Sequence, residues 1–150
     1  MAKKILLVLA GIFVIIQLFP RNLPETSFEN KGDIFLNNTI PEEIERMLRT
    51  SCYDCHSNET VYPWYSYVAP VSFLVSKDTR EGREHLNFSE WESLSKLDKA
   101  EALDDFYDEV EAGEMPLKIY PLTHADAKLS EEQREALIGW AEEFAEKLFE

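Results

Sequence analysis

The chain has 150 residues, of which 15 are basic and 29 acidic, and its formal net charge is −14. This length suggests one domain, and the negative charge argues against nucleic acid or an anionic lipid surface as a partner. Its two cysteines are too few for the disulfide framework of a small secreted protein.

The N-terminus has the pattern of an export signal. Lys3 and Lys4 precede an apolar run over residues 5–19 that only Gln17 interrupts, and such lysines favour a cytoplasmic N-terminus. The run is short for a membrane span and slightly long for a signal-peptide core. Neither a small-x-small cleavage site nor a lipid-accepting cysteine follows it. We therefore predict that residues 1–20 form an uncleaved signal anchor or transmembrane helix rather than a cleaved signal.

Residues 21–38 contain proline and glycine and are predicted to be a tether, which leaves 39–150 as the domain. Thr39 to Glu42 has the form of a helix start with a capping box. The helix that follows has an apolar stripe of Ile44, Met47 and Leu48.

This helix leads into Cys52-Tyr53-Asp54-Cys55-His56, a C-x-x-C-H motif that contains both cysteines of the chain. The motif is typical of covalent c-type haem attachment. Two thiols one helical turn apart can each form a thioether with a haem vinyl group, and the neighbouring imidazole then becomes an axial ligand of the iron. We predict one covalent haem c, bound through Cys52 and Cys55, with His56 as the first ligand.

Other uses of the cysteines fit less well. A thioredoxin-like pair needs a β-α-β context that these flanks do not supply. A zinc site of Cys52, Cys55, His85 and His124 would need ligands separated by 29 and 38 residues, far from the compact spacing of small zinc folds.

The rest of the domain is predicted to be helical. An aromatic stretch over residues 61–73 can supply apolar walls for a haem, although ordinary core packing explains it equally well. Helices are expected from Val71 to about His85, from Ser89, from Asp98 to Ala112, and from Ser130, where Gln133 completes a capping box. Since no alternating strand appears, the fold class is all-α.

Three residues are candidates for the second axial ligand. Met115 precedes Pro116 in a loop after a helix, and proline keeps that loop out of helical conformation. His85 ends a helix, where it could be a surface residue or part of a polar cluster near the haem propionates, and His124 looks solvent-facing. We favour Met115 over either histidine or an open position.

Several motifs resemble known haem proteins. The order of the C-x-x-C-H motif, Met115-Pro116 and a terminal helix over residues 129–140 resembles class I cytochromes c. Ser51 to Thr60, Tyr62-Pro63-Trp64-Tyr65 and Arg80 to Ser89 resemble the bacterial haem-binding domain family more closely, over roughly residues 40–145. The resemblance implies a cytochrome c-like fold, a methionine distal ligand and a terminal helix that crosses the first. The 58 residues between His56 and Met115 are a long insertion for a simple class I cytochrome.

The predicted function is therefore a membrane-tethered mono-haem electron carrier at the bacterial inner membrane, with its domain in the periplasm. The acidic surface serves solubility or attracts a redox partner with a basic docking surface. No acid–base or nucleophile constellation accompanies the motif, which favours a carrier over an enzyme. The alternatives are a peroxidase-like enzyme or gas sensor, with His85 or His124 as an acid–base group, and a haem subunit of a larger redox complex.

Overall fold

The structure, a computed structural model, describes residues 1–149, so Glu150 of the predicted domain lies outside it. The α-helices are Ala2–Ile16 (α1), Ile34–Asn37 (α2), Glu42–Ser51 (α3), Tyr53–His56 (α4), Val71–His85 (α5), Lys96–Glu111 (α6) and Glu131–Lys147 (α7). Short 3-10 helices cover Trp64–Tyr67, Phe88–Ser93, Tyr120–Leu122 and Ala125–Ala127. The described residues contain no strand, which confirms the all-α prediction.

The hydrophobic core lies where α6 and α7 pack together and α3 closes against α7. Trp91 is fully buried there and stacks on Phe144 with ring centroids 5.7 Å apart. The apolar stripe predicted for α3 faces this core, since Ile44, Met47 and Leu48 are all buried. Helix α7 also contacts α3, the helix that leads into the C-x-x-C-H motif.

Local capping sets the helix boundaries. The capping box of Ser130 and Gln133 is confirmed at the start of α7, and a second one starts α6 at Ser95 instead of near Asp98. The capping box expected at Thr39 is wrong, because Pro41 is the N-cap of α3 and makes no side-chain capping bond. The first turn instead contains Glu42, Glu43 and Glu45, whose negative charges are favourable at a helix N-terminus.

Helix α1 has no buried residue, and its apolar side chains point away from the domain on every side. It contains 15 residues, whereas a membrane span needs about 20. None of the helices in residues 1–149 combines the length and apolar character that crossing a membrane requires. The transmembrane helix predicted for residues 1–20 is therefore not confirmed.

Residues 21–38, which are predicted to be a tether, make contacts with the domain. Ile34 in α2 is fully buried in the core. Upstream of it, the Ser76 hydroxyl donates a hydrogen bond to the Asn22 carbonyl at 2.8 Å, and Arg83 donates to the Glu25 carbonyl at 2.7 Å. Two backbone carbonyls of the predicted tether therefore accept hydrogen bonds from side chains of α5.

Candidate functional site

The two cysteines lie at the junction of two helices. Cys52 is the C-cap of α3, and its N–H donates to the Leu48 carbonyl at 2.9 Å. The chain then turns into α4, where the N–H groups of Cys55 and His56 both donate to the Cys52 carbonyl, at 3.1 and 2.9 Å. These bonds fix the Cys52–Cys55 spacing at one helical turn, as the motif predicted.

Tyr53 anchors the motif to the core. Its ring stacks between Phe35 and Phe88, with centroid distances of 5.2 and 5.3 Å. Its hydroxyl donates to the buried Asp33 carboxylate at 3.0 Å. Burial, with the nearby Asp33 charge, raises the pKa of Tyr53, so the phenol remains a neutral donor. The motif is therefore held rigidly on the side opposite its cysteines.

Helix α5 comes closest to the motif at Gly82. A Cβ atom at this position would lie 2.7 Å from the Cys55 carbonyl oxygen and 3.2 Å from its Cβ. Only a residue without a side chain therefore permits this approach of two backbones. The contact brings the wall formed by α5 against Cys55 and His56.

The residue that follows α5, Leu86, orients His56. Its Nδ1 donates to the Leu86 carbonyl, just beyond α5, at 3.0 Å. Because a carbonyl only accepts, this bond places the ring proton on Nδ1 and leaves Nε2 with a free lone pair. Burial lowers the pKa of His56, which also favours the neutral imidazole that a metal requires.

Both cysteines are free and half-buried. Burial raises the pKa of Cys52 to about 12 and that of Cys55 to about 11, with neighbouring sulfur or acidic groups adding to the shift. Reactive dithiol pairs of the thioredoxin type have lowered pKa values. These thiols are therefore protonated at neutral pH and lack the environment of a redox dithiol.

A large cavity of about 890 Å³ opens beside the motif, and Cys52, Cys55, His56 and Met115 all line it. Its walls come from α4, α5, α6 and the loops around residues 61–66 and 115–124. Most of the remaining wall is apolar or aromatic. These residues include Val61, Tyr62, Tyr65, Val71, Leu74, Val75, Phe88, Phe106, Val110, Leu117 and Leu129.

These residues fit a haem. The cavity offers apolar walls for a flat macrocycle, two thiols one turn apart for its vinyl groups and an imidazole with a free nitrogen for its iron. It also contains a buried hydroxyl, Ser66 Oγ, without a hydrogen-bond partner among the described residues. By contrast, no group of three or more His, Cys, Asp or Glu side chains in residues 1–149 could hold a metal ion by itself.

Met115 is held at the cavity by the turn that ends α6. Gly113 adopts a φ of +69°, a left-handed conformation that favours glycine. The N–H groups of Glu114 and Met115 then both donate to the Glu109 carbonyl, at 3.0 and 3.1 Å. Met115 itself is half-buried and packs against the core. The turn thus places Met115 on the cavity wall.

The two candidate histidines also line the cavity, in different surroundings. His85 is exposed at the end of α5. His124 is half-buried, which differs from the predicted solvent-facing position, because its ring stacks on Tyr120 with centroids 4.2 Å apart. Its Nε2 lies 3.3 Å from the Tyr65 hydroxyl and its Nδ1 lies 3.1 Å from the Thr123 hydroxyl. Both ring nitrogens of His124 are therefore engaged within the protein.

Asp54, the second variable residue of the motif, connects it to the far wall. Its carboxylate accepts hydrogen bonds from the Tyr120 hydroxyl at 2.8 Å and from the Val61 N–H at 3.1 Å. Burial, together with the Asp54 charge, raises the pKa of Tyr120 and keeps its hydroxyl a donor. Through Asp54, the motif thus binds the segments around Val61 and Tyr120, which both line the cavity. The C-x-x-C-H pattern did not indicate this role.

A protein-family model described as "Haem-binding domain" matches residues 11–143. No curated protein and no solved structure matches the chain. The matched range contains the C-x-x-C-H motif, α5 and Met115.

Proposed function

The chain belongs to the haem-binding domain family, and from this premise we propose that it is a mono-haem c-type cytochrome that transfers electrons. Cys52 and Cys55 would hold the haem covalently, while His56 and Met115 would bind its iron. Once bound, the haem supplies an iron that takes up and returns one electron. The surrounding residues fix the ligands and exclude water.

One observation carries the proposal: two thiols, an imidazole with a free nitrogen and a thioether line the same apolar cavity. The ligands are separated by 58 residues in the sequence, yet each is positioned by its own backbone hydrogen bonds. Such preorganisation suits electron transfer, because the ligands need little rearrangement when the charge of the iron changes. A His–Met ligand pair also raises the reduction potential.

Acid–acetone extraction tests the covalent bond. In protein made with a haem-attachment system, the haem is expected to stay with the wild-type polypeptide. Cys52→Ala and Cys55→Ala should each weaken the attachment, because one thioether is lost. His56→Ala should leave little stable haem protein. Release of haem from the wild type into the organic phase would contradict the proposal, whereas retention in both single variants but not in the double variant would show two independent thioethers.

The second ligand is tested by visible spectra and potentiometry. Met115→Ala is expected to give high-spin or water-ligated iron with a lower potential, because the neutral thioether favours ferrous iron. His85→Ala and His124→Ala are matched controls on the same cavity and should keep the low-spin spectrum. If a histidine variant loses that spectrum while Met115→Ala keeps it, the site is bis-histidine and the carrier has a low potential.

A second function is supported by the cluster of His124, Tyr65 and Tyr120 on the cavity wall. In a peroxidase-like enzyme or gas sensor, His124 would be an acid–base group beside an open iron position. The purified wild type distinguishes the two functions. A high-spin spectrum that changes on addition of cyanide or carbon monoxide favours this alternative, and a low-spin spectrum that does not change favours the carrier.

We place the protein at the bacterial inner membrane, with the haem domain in the periplasm. Three features support this location: the lysine pair, the apolar helix α1 without a buried residue, and the requirement of c-type haem attachment for an export route. A redox partner with a basic docking surface suits the acidic domain. The protein could transfer electrons as the haem subunit of a larger redox complex. Co-purification with a second protein tests this form of the proposal.

A further inference from the structure

Acidic residues are distributed unevenly along this chain. All 29 lie in residues 25–59 and 78–150, so residues 1–24 and 60–77 contain none. Four basic residues, Lys3, Lys4, Arg21 and Lys77, lie in those two segments. These two segments therefore carry a positive formal charge, although the chain as a whole is negative.

The two acid-free segments meet in the folded protein. Beyond the end of α1, the Gln17 side chain donates to the Ala69 carbonyl at 3.0 Å and accepts from the Ala69 N–H at 3.0 Å. The Asn22 carbonyl accepts from Ser76 on α5 at 2.8 Å. Because these bonds join residues more than 50 positions apart, the exit of α1 is fixed beside the start of α5.

Large apolar side chains are exposed around this junction. On the side of α1 these are Leu18 and Phe19, and near Ala69 they are Trp64, Tyr67 and Phe73. The exposed fraction of Trp64 is 77%, whereas the other tryptophans, Trp91 and Trp140, are 0% and 8% exposed. None of these five apolar residues lines the haem cavity, so haem binding does not explain their exposure.

We propose that this surface, named here the acid-free face (residues 17–19 and 64–73), rests on a phospholipid bilayer into which α1 inserts. A helix that is apolar on all sides needs an apolar environment, and the domain provides none for α1. Tryptophan and tyrosine prefer the interface between lipid and water. Acidic residues are missing from both segments, so neither segment brings a negative charge to this contact. The inference rests on the membrane location proposed above and adds a second contact, made by the haem domain itself.

Photolabelling in vesicles tests the contact. Full-length, haem-loaded protein is reconstituted in phosphatidylcholine vesicles containing a phosphatidylcholine with a photoreactive acyl chain, and labelled peptides are mapped by mass spectrometry. Labels are expected in α1 and in residues 61–77. The double variant Trp64→Ser/Tyr67→Ser should lose label in 61–77 several-fold, while the α1 label and the haem spectrum remain unchanged. Leu97, which is 74% exposed at the start of α6, is the matched control and should not be labelled.

The outcomes separate the two proposals. Label in α1 with no more label in 61–77 than around Leu97 overturns the acid-free face and leaves the membrane location intact. Failure of the protein to float with the vesicles, with no label in α1, overturns both. Protein–protein crosslinks through residues 61–77 in place of lipid label would show that a second copy covers this face, which also overturns the inference.

Discussion

Gly82→Ala is expected to leave the protein no more stable than the wild type, although the same substitution normally strengthens a helix. In a helix interior, alanine is more favourable than glycine by about 1 kcal/mol. At Gly82, however, the new Cβ would lie 2.7 Å from the Cys55 carbonyl oxygen and 3.1 Å from its carbonyl carbon. Both are backbone atoms that cannot rotate away, so α5 and the motif must separate.

Gly139→Ala provides the control. Gly139 lies inside α7, and a Cβ at this position would meet nothing within 4 Å. The helix preference is therefore gained without a clash. Overpacking costs about 1–3 kcal/mol, so the free energies of unfolding of the two variants should differ by roughly that amount, with Gly139→Ala above the wild type and Gly82→Ala at or below it.

The assay is denaturant unfolding of both variants beside the wild type, together with the fraction of protein that retains haem after acid–acetone extraction. Separation of α5 from Cys55 also moves the Leu86 carbonyl that orients His56. Gly82→Ala should therefore lower haem retention, and Gly139→Ala should not. Equal stabilisation by both substitutions, with full haem retention, would refute the close contact.

Three further predictions concern the surroundings of the site. Tyr53→Phe removes a hydrogen bond to buried Asp33 and should cost about 1–3 kcal/mol in urea unfolding. Tyr107 is the control, because its hydroxyl donates to an exposed carboxylate. The free energy of unfolding of Tyr107→Phe should stay within about 0.5 kcal/mol of the wild type. An equal loss in both variants would contradict the anchoring role of Tyr53. Gly113→Ala places alanine at a positive φ, so it should cost about 1–2 kcal/mol and weaken the spectral band of Met115–iron ligation; an unchanged spectrum and midpoint would exclude strain there. Alkaline phosphatase fused at the C-terminus should be active in cells, and the protein should remain with membranes after a carbonate wash, whereas a soluble form beginning after residue 20 would disprove the anchor.

Features set by neighbouring residues were predictable from sequence. The capping box of Ser130 and Gln133 depends on a spacing of three residues and formed as expected. The helix expected from Ser89 is instead a 3-10 helix, Phe88–Ser93, which Asn87 caps. The Ser89 hydroxyl accepts from the Asn58 N–H at 3.0 Å, and the Glu92 N–H donates to the Gly32 carbonyl at 3.0 Å. Both partners are distant in the sequence, so a local pattern does not show them.

Contacts between distant residues were not predictable. Residues 21–38 were assigned as a tether from their proline and glycine content, and nothing local shows that Ser76 and Arg83 donate hydrogen bonds to carbonyls of this segment. Likewise, His124 was expected to face solvent. It is half-buried because its ring contacts Tyr120 and Tyr65. In the site, the motif and Met115 were recognisable as short patterns. The close approach at Gly82 was not, because a single glycine in a helix gives no sign of what lies opposite.

Helix α5 links the segment that follows α1 to the C-x-x-C-H motif. At one end it is bound to the segment that follows α1, through Ala69 just before its start and through Ser76. At the other end Gly82 contacts Cys55. Val71 and Gly82 are 11 positions apart, and a helix rises 1.5 Å per residue, so the start of α5 lies about 17 Å from its contact with Cys55. Because the segment after α1 is hydrogen-bonded to Ala69 and Ser76, the haem cavity stays close to α1, the helix that the bilayer would hold. On the proposed function, a protein held in this way exchanges electrons with partners that come to the membrane surface instead of carrying them between distant sites.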